Sequence, residues 1–342
     1  MKTLVCPLNW GLGHATRCVP IIKHLIDSGN EVVVVADGFP LEFLKNEFPQ
    51  LKFEVLPSYK VSYSAQKSQI GAMMRSLPKI IVGIFNEHRW LRNYLKNNEI
   101  DKVISDNRFG LWNKSVHSIY ITHQLMVKMS PNLQFLEKAV WRLHRWFITH
   151  YDECWIPDSA DPIQNLSGDL SHKYRLPSNA KFVGILSRFQ LLKDIVPNNS
   201  YTTVCVISGI EPQRSIFEDE LINTYENYSE KTLIVQGQPQ AEIRSKQIGN
   251  IRLVSHLNAK DLAACLVGTQ QIICRSGYSS IMDLATLNCL HKAVFVATSG
   301  QTEQEYLEIL MKEKAKIFSY PTSISAFTFL INPFSTSPGP TS

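Results

Sequence analysis

Thr3-Leu4-Val5-Cys6 leads through Pro7 and Leu8 into Asn9-Trp10-Gly11-Leu12-Gly13-His14-Ala15-Thr16-Arg17. A short apolar strand therefore hands over, across a glycine-bearing turn, to a helix. In open α/β sheets ligands sit beyond the carboxyl ends of the strands, and the first strand-to-helix turn faces that crevice. Gly11 and Gly13 let the backbone come close to a ligand, and the amides opening the helix favour an anion or a polar oxygen. His14 is the side chain in this turn best suited to take a proton near neutral pH. The same pattern also fits an ordinary glycine-rich turn, so the rest of the chain has to decide.

The 342 residues are enough for two domains, each with its own core. With 44% hydrophobic and 19% charged residues and a formal net charge of +5, the composition is that of a mildly basic globular protein. The excess is too small to point to nucleic acid; it is compatible with anionic substrates or an anionic membrane surface. The seven cysteines are scattered without a C-x-x-C pair and read as reduced, buried thiols. No Cys/His cluster has metal-ligand spacing, so neither a metal nor a separate cofactor is expected. The first apolar run is too short for a signal peptide, and no stretch of about 18 apolar residues occurs. The expected location is the cytoplasm, with contact to the inner face of the membrane left open.

Short Val- and Ile-rich runs at 3–6, 31–36, 53–56, 102–105, 119–122 and 153–156 alternate with helix-period segments at 19–28, 40–47 and 86–97. Such alternation predicts a parallel, doubly wound sheet, although strand order cannot be read from it. Residues 181–199, ending in Val196-Pro197-Asn198-Asn199, read as a linker. The strand rhythm then restarts at 203–208, 232–236, 251–254, 271–274 and 293–297. The expected organisation is a first domain over 1–180, a linker over 181–199, a second domain over 200–320 and an irregular tail over 321–342. Two such halves imply a cleft between them, a preferred place for a substrate.

The second half has its own constellation. Arg275-Ser276-Gly277-Tyr278-Ser279-Ser280 follows a strand and precedes an apparent helix over 281–287, an arrangement that suits a diphosphate. Asp283 is placed to accept hydrogen bonds from ribose hydroxyls, or is an ordinary solvated helix acid. Gly300-Gln301-Thr302-Glu303-Gln304-Glu305-Tyr306 gathers carboxylates and amides at a helix entrance, the groups that read sugar hydroxyls in pairs.

In the order and spacing of these three segments the chain resembles the GT-B class of nucleotide-sugar glycosyltransferases, and within it the family 28, MurG-like type. The resemblance covers roughly residues 1 to 315. It implies two Rossmann-like, doubly wound α/β domains facing a cleft, with a nucleotide sugar, UDP-linked by default, as donor substrate. It implies His14 as general base on the acceptor side, bordered by Gly11 and Gly13. On the donor side it implies Ser208 and Gly209 beside the phosphates, Arg188 approaching the diphosphate, Ser276 and Gly277 in the phosphate turn, Asp283 at the ribose, and Glu303 with Gln304 at the sugar. The family's ribose acid is a glutamate, and its turn near 208 is richer in glycine than this one.

Asp106, at the carboxyl end of a strand on the same sheet edge as His14, is expected to orient the imidazole and stabilise it as it charges. The competing role is a cap for the next helix or a partner for Arg108. His123, on that edge too, is expected to line the acceptor cleft. One base suffices for a single inverting displacement, and the leaving diphosphate calls for Arg188, Arg275 and the amides near Ser276. No D-x-D metal motif is present, since Asp158 and Asp161 are wrongly spaced. The acceptor is a glycan or a lipid-linked molecule. Residues 135–148 mix Trp, Phe, Lys and Arg at helical spacing, either to lie on an anionic membrane or to pack with the tryptophans inside. Residues 59–76 are loop-prone and border the acceptor entrance. Two other readings stand beside transfer: a nucleotide-sugar epimerase, and a binder of nucleotide sugars without catalysis.

Overall fold

Strand β1 (Lys2–Pro7) lies inside a seven-stranded sheet with β2 (Glu31–Ala36) on one side and β4 (Lys102–Asp106) on the other. The computed structural model describes residues 1–58, 69–209, 211–240 and 242–318. The order β3-β2-β1-β4-β5-β6-β7 is completed by β3 (Lys52–Val55), β5 (His117–Ile121), β6 (Glu153–Ile156) and β7 (Ala180–Phe182), and every neighbour pair is parallel. Residues 32–35, four consecutive valines, are all buried, as a strand covered on both faces requires. Their parity divides the core. Val5, Val34 and Ile104 pack under α1 (Gly13–Asp27) and α2 (Gly38–Glu47), while Leu4, Val33, Val35 and Val103 pack on the opposite face with Leu91 of α3 (Gln69–Asn97).

The second sheet has the order β10-β11-β9-β8-β12-β13, built from β8 (Thr203–Val206), β9 (Thr232–Val235), β10 (Ser245–Ile248), β11 (Ile251–Val254), β12 (Gln271–Arg275) and β13 (Ala293–Val296). All its pairs are parallel except β10 with β11. One face buries Val204, Ile272 and Cys274 against α7 (Ala259–Gly268) and α8 (Tyr278–Thr286); the other buries Cys205 and Ile273 against Phe217 and Leu221 of α6 (Gln213–Tyr225). Helix α4 (Glu137–Ile148) and the single turn α5 (Asp169–His172) belong to the first half, and α9 (Thr302–Phe318) closes the described chain. Chain order reverses in each sheet at a central strand, between β1 and β4 and again between β8 and β12. These two switch points put two crevices at the cleft.

Several boundaries differ from the sequence reading. Helix α1 opens at Gly13 rather than near residue 19, because the polar residues Thr16 and Arg17 are buried on it and hide the apolar period. Helix α3 opens at Gln69 and carries Pro78 within it, so residues 69–76 are helical where a loop was expected; residues 59–68 of that loop lie outside the described residues. Lys181 and Phe182, read as linker, belong to β7. The rest of that connection is held down rather than loose. Val183 and Leu186 enter the first core, and Ile185 and Phe189 the second. The tail over 321–342 lies outside the described residues, and all seven cysteines are buried and free.

Candidate functional site

At the first switch point Pro7 and Asp106 are register partners at the ends of β1 and β4, which sets the turn after β1 against the Asp106 carboxylate. Gly11 adopts φ +93°, a conformation that a side chain would strain. His14 and Arg17, three residues apart on the first turns of α1, project from one face of the helix. His14 Nδ1 lies 2.8 Å from Asp106 Oδ1. Arg17, 1% exposed, donates from Nε to Asp106 Oδ2 at 2.5 Å and from Nη2 to Oδ1. Asp106 therefore caps no helix and leaves Arg108 alone; Arg108 pairs with the buried Glu87 at 2.8 Å.

The network continues across the cleft. Arg17 Nη1 is 3.0 Å from His123 Nδ1, and His123 Nε2 is 2.8 Å from Glu303 Oε1 on α9. The His123 ring also stacks on Tyr278 of α8, with centroids 4.3 Å apart and planes within 2°. His123 thus does more than line the cleft: it joins the two halves.

Electrostatics follow from this packing. Burial alone would raise the Asp106 carboxyl, but Arg17 and His14 outweigh it and hold it down at about 2. Burial, with the Arg17 charge second, pushes the His14 imidazole below its ordinary value against the pull of Asp106. His14 is accordingly neutral at pH 7, with Nε2 free of partners among the described residues. Burial would also raise Glu303, and the neighbouring His123 reverses the direction.

The second switch point presents Ser208, Gly209 and Gly237 on one side and the start of α8 on the other, all lining the cleft. Gly209 has φ +108° and Gly237 φ +66°, and a Cβ at Gly237 would meet the Ile207 carbonyl oxygen at 2.4 Å. Helix α8 starts at Tyr278 with Gly277 as its N-cap and no side-chain hydrogen bond closing it, so its first amides are open to the cleft. Arg188 lies against Phe43 and Phe189, with guanidinium-to-centroid distances of 5.5 and 5.1 Å; its buried Nε has no hydrogen-bond partner among the described residues. Asp283 lines the cleft, half-buried, and accepts from Ser187 Oγ at 2.5 Å, so it is no freely solvated helix acid. Burial raises its carboxyl, with Arg188 and Ser187 opposing. Gln304 also lines the cleft, its Oε1 accepting from Thr298 N at 2.9 Å.

Two expected donor-side residues are elsewhere. Arg275 shares the parity of Ile273 on β12, so it points to the α6 layer; its guanidinium lies 3.8 Å from the Phe217 centroid and donates to the Ala297 carbonyl at 3.0 Å. Ser276 is fully buried and donates to the Gln304 carbonyl at 2.8 Å, anchoring the start of α9. Arg17 and Gly237 are cleft residues that the sequence reading did not single out, and Ser279, whose amide it placed at the diphosphate, also lines the cleft. A histidine followed three residues later by an arginine on one helix face was the available signal for Arg17.

The cleft between the halves has a volume of about 1180 Å³, above the ~300–1,000 Å³ usual for one small ligand and large enough for two. Its seam is polar. Ser279 Oγ donates to the Gly13 carbonyl at 3.1 Å, Tyr278 Oη to the Pro157 carbonyl at 2.8 Å, and Thr302 Oγ1 to the Lys128 carbonyl at 2.6 Å. A Cβ on Gly13 would stand 2.6 Å from Ser279 Oγ and would push that hydroxyl off the Gly13 carbonyl. Asp158 is consumed structurally, accepting from the Leu166 and Ser167 amides. Among the described residues no group of three His, Cys, Asp or Glu is arranged to hold a metal ion.

On the outer wall, α3 and α4 form an exposed apolar face. Val82, Phe85, Leu143 and Trp146 are all more than half exposed, and Phe135, just before α4, is 75% exposed. Lys79, Arg89, Arg92, Lys96, Lys138 and Arg142 are exposed on the same two helices, whereas their acids, Glu87 and Glu137, are buried. Of the two alternatives for residues 135–148, packing of the tryptophans inside does not hold for Trp146, while Trp141 is half-buried against Tyr174; α4 packs through Glu137, His144 and Ile148. Ile81 and Leu143 line the cleft as well as belonging to the exposed face. No helix among the described residues is long and apolar enough to cross a membrane.

No protein-family model matches the chain. Over 197 residues, 55% of the chain, it is 24% identical to an uncharacterized glycosyltransferase of Methanosarcina acetivorans, of whose length the match spans about half. The spinosyn rhamnosyltransferase SpnG complexed with thymidine diphosphate superposes with a TM-score of 0.54 at 12% identity, covering 93% of this chain and 91% of that one. Phytolacca americana UGT2, complexed with UDP-2fluoro-glucose and pterostilbene, gives 0.53 at 11% identity, covering 92% and 83%. At these identities the likeness is one of fold: two Rossmann-like α/β domains in the GT-B arrangement.

Proposed function

We propose that the chain is a glycosyltransferase that moves a sugar from a nucleoside-diphosphate donor to an acceptor hydroxyl, without a metal and with inversion. The observation that carries this reading is the pair of facing crevices. A neutral, carboxylate-held His14 stands at one, and the uncapped start of α8 with the orphaned Nε of Arg188 stands at the other. An imidazole with a bare nitrogen accepts the hydroxyl proton as the oxygen attacks the anomeric carbon. The bond from that carbon to the diphosphate oxygen breaks, and Arg188 and the α8 amides meet the charge that develops. In this reading Ser208 and Gly209 border the phosphates, Asp283 holds ribose, and Glu303 with Gln304 reads the sugar. Gly11 and Gly13 shape the acceptor side. The nucleoside diphosphates named with the two structural neighbours support a donor of this class, UDP-linked by default in the family 28 type.

The test is incubation with UDP- and dTDP-sugars, with and without hydroxyl acceptors. Nucleoside diphosphate is expected to appear only when an acceptor is present. A sugar altered without acceptor would replace the reading by epimerisation, and saturable binding with neither by a catalytically inactive binder. Nucleoside diphosphate is also expected to raise Tm, and less so in Arg188→Ala, because a ligand that binds only the folded state stabilises it in proportion to its affinity.

We also propose that the α3–α4 face rests on an anionic membrane at the inner, cytoplasmic side and receives a lipid-linked acceptor. Exposed aromatics surrounded by bases, with the acids buried, suit such a surface, where each Lys or Arg is worth ~1 kcal/mol. The protein is expected to float with phosphatidylserine vesicles at low salt, and Phe85→Ser/Trp146→Ser to stay behind. Failure of the unaltered protein to float at low salt would remove this part of the proposal.

A further inference from the structure

We infer that Arg17 is the positioning residue of the cleft: its guanidinium fixes the His123 tautomer directly and the His14 tautomer through the Asp106 carboxylate it holds, leaving His14 with a bare Nε2 and His123 with an N–H aimed at Glu303. An arginine has five N–H donors and no acceptor. At 3.0 Å from Arg17 Nη1, His123 Nδ1 can therefore only accept, so the ring proton of neutral His123 is on Nε2 and is donated to Glu303 Oε1 at 2.8 Å.

His14 is fixed the other way. Its Nδ1 lies 2.8 Å from Asp106 Oδ1, an oxygen of an ionised carboxylate that only accepts. A lone pair on Nδ1 would face that oxygen unfavourably, so Nδ1 carries the proton. Arg17 Nη2 carries two hydrogens; it donates one to Asp106 Oδ1 and also lies 2.9 Å from the same Nδ1, so the shorter contact to the anionic oxygen sets the tautomer, and the Arg17 charge disfavours a second proton on the ring. Arg17 grips both Asp106 oxygens, through Nε and Nη2, while His14 reaches Oδ1.

Among the described residues the charged groups that act on His14 are Arg17 from α1, Asp106 from β4, His123 after β5 and Glu303 from α9, with Cys18 donating to Asp106 and Tyr278 stacked on His123. The inference deepens the proposed transfer by naming the nitrogen that takes the proton, and its test reads ring protonation without turnover. Failure of the transfer reading would leave that test intact.

With 15N-histidine labelling, long-range proton–nitrogen NMR spectra of the unaltered protein are expected to show His14 in the Nδ1–H form, titrating below 6.5, and His123 in the Nε2–H form. In Arg17→Gln the His14 titration is expected to move up by about one pH unit or more, and neutral His123 to become a mixture of tautomers. Arg17→Lys keeps the charge without the fork, so His14 should still titrate low while His123 loses its fixed form. His24 serves as the control that does not move. A proton on His14 Nε2 in the unaltered protein, or ring states untouched by both substitutions, would overturn the inference; if Arg17→Gln does not fold, the unaltered protein and Arg17→Lys decide it.

Discussion

His14→Ala is expected to lower kcat for sugar transfer by ~10²–10⁴-fold, the usual contribution of a positioned general base. The fold should tolerate the change, because His14 is at the edge of the cleft and the Arg17–Asp106 pair remains closed without it. Donor affinity should change little, since Arg188 and the start of α8 belong to the other half. In the unaltered enzyme the acid limb of kcat is expected below pH 6.5, because burial and Arg17 depress the imidazole and keep it unprotonated at lower pH than usual. Rates for His14→Ala within about tenfold of the unaltered enzyme would remove the base from the mechanism.

The second large effect is on stability. Asp106→Ala strands the Arg17 guanidinium, 1% exposed, with no anion against it, and is expected to cost ~3–5 kcal/mol of unfolding free energy. Asp106→Asn keeps an oxygen for Arg17 and should be milder in stability, yet it loosens the His14 tautomer and should cost rate. The pH dependence has a definite sign. The folded carboxyl is depressed from 3.8 to about 2, so its stabilisation is complete above pH ~4 and is lost as pH falls toward 2. Denaturant titrations of the unaltered protein and Asp106→Ala at pH 7 and pH 3 should therefore differ most at pH 7. Equal midpoints at pH 7 would show that the pair contributes nothing.

The central strands were legible because they are buried on both faces and read as plain apolar runs, as residues 32–35 do. His14 and Asp106 were legible because residues at strand ends in such a sheet face the crevice whatever the strand order. Arg275 was misplaced for the opposite reason: it is still inside β12, and pleat parity, visible only once the faces are assigned, sends it to Phe217. Arg17 went unnoticed because a buried arginine looks, in one dimension, like any polar residue of a first helical turn. The cross-cleft pairing of His123 with Glu303, 180 residues apart, could not be read without the topology. The same holds for the outward tryptophan of α4, since helical spacing tells that there is an apolar stripe and leaves open what it faces.

The buried connection between the halves has a thermodynamic corollary. Its Val183 and Leu186 anchor in one core, its Ile185 and Phe189 in the other, and between them Ser187 and Arg188 stand in the cleft. Occupancy of Arg188 and the angle between the halves are then linked variables. On the proposed reading, an acceptor that favours the angle at which the donor is held would tighten the donor by the factor with which the donor tightens the acceptor, because linkage is reciprocal.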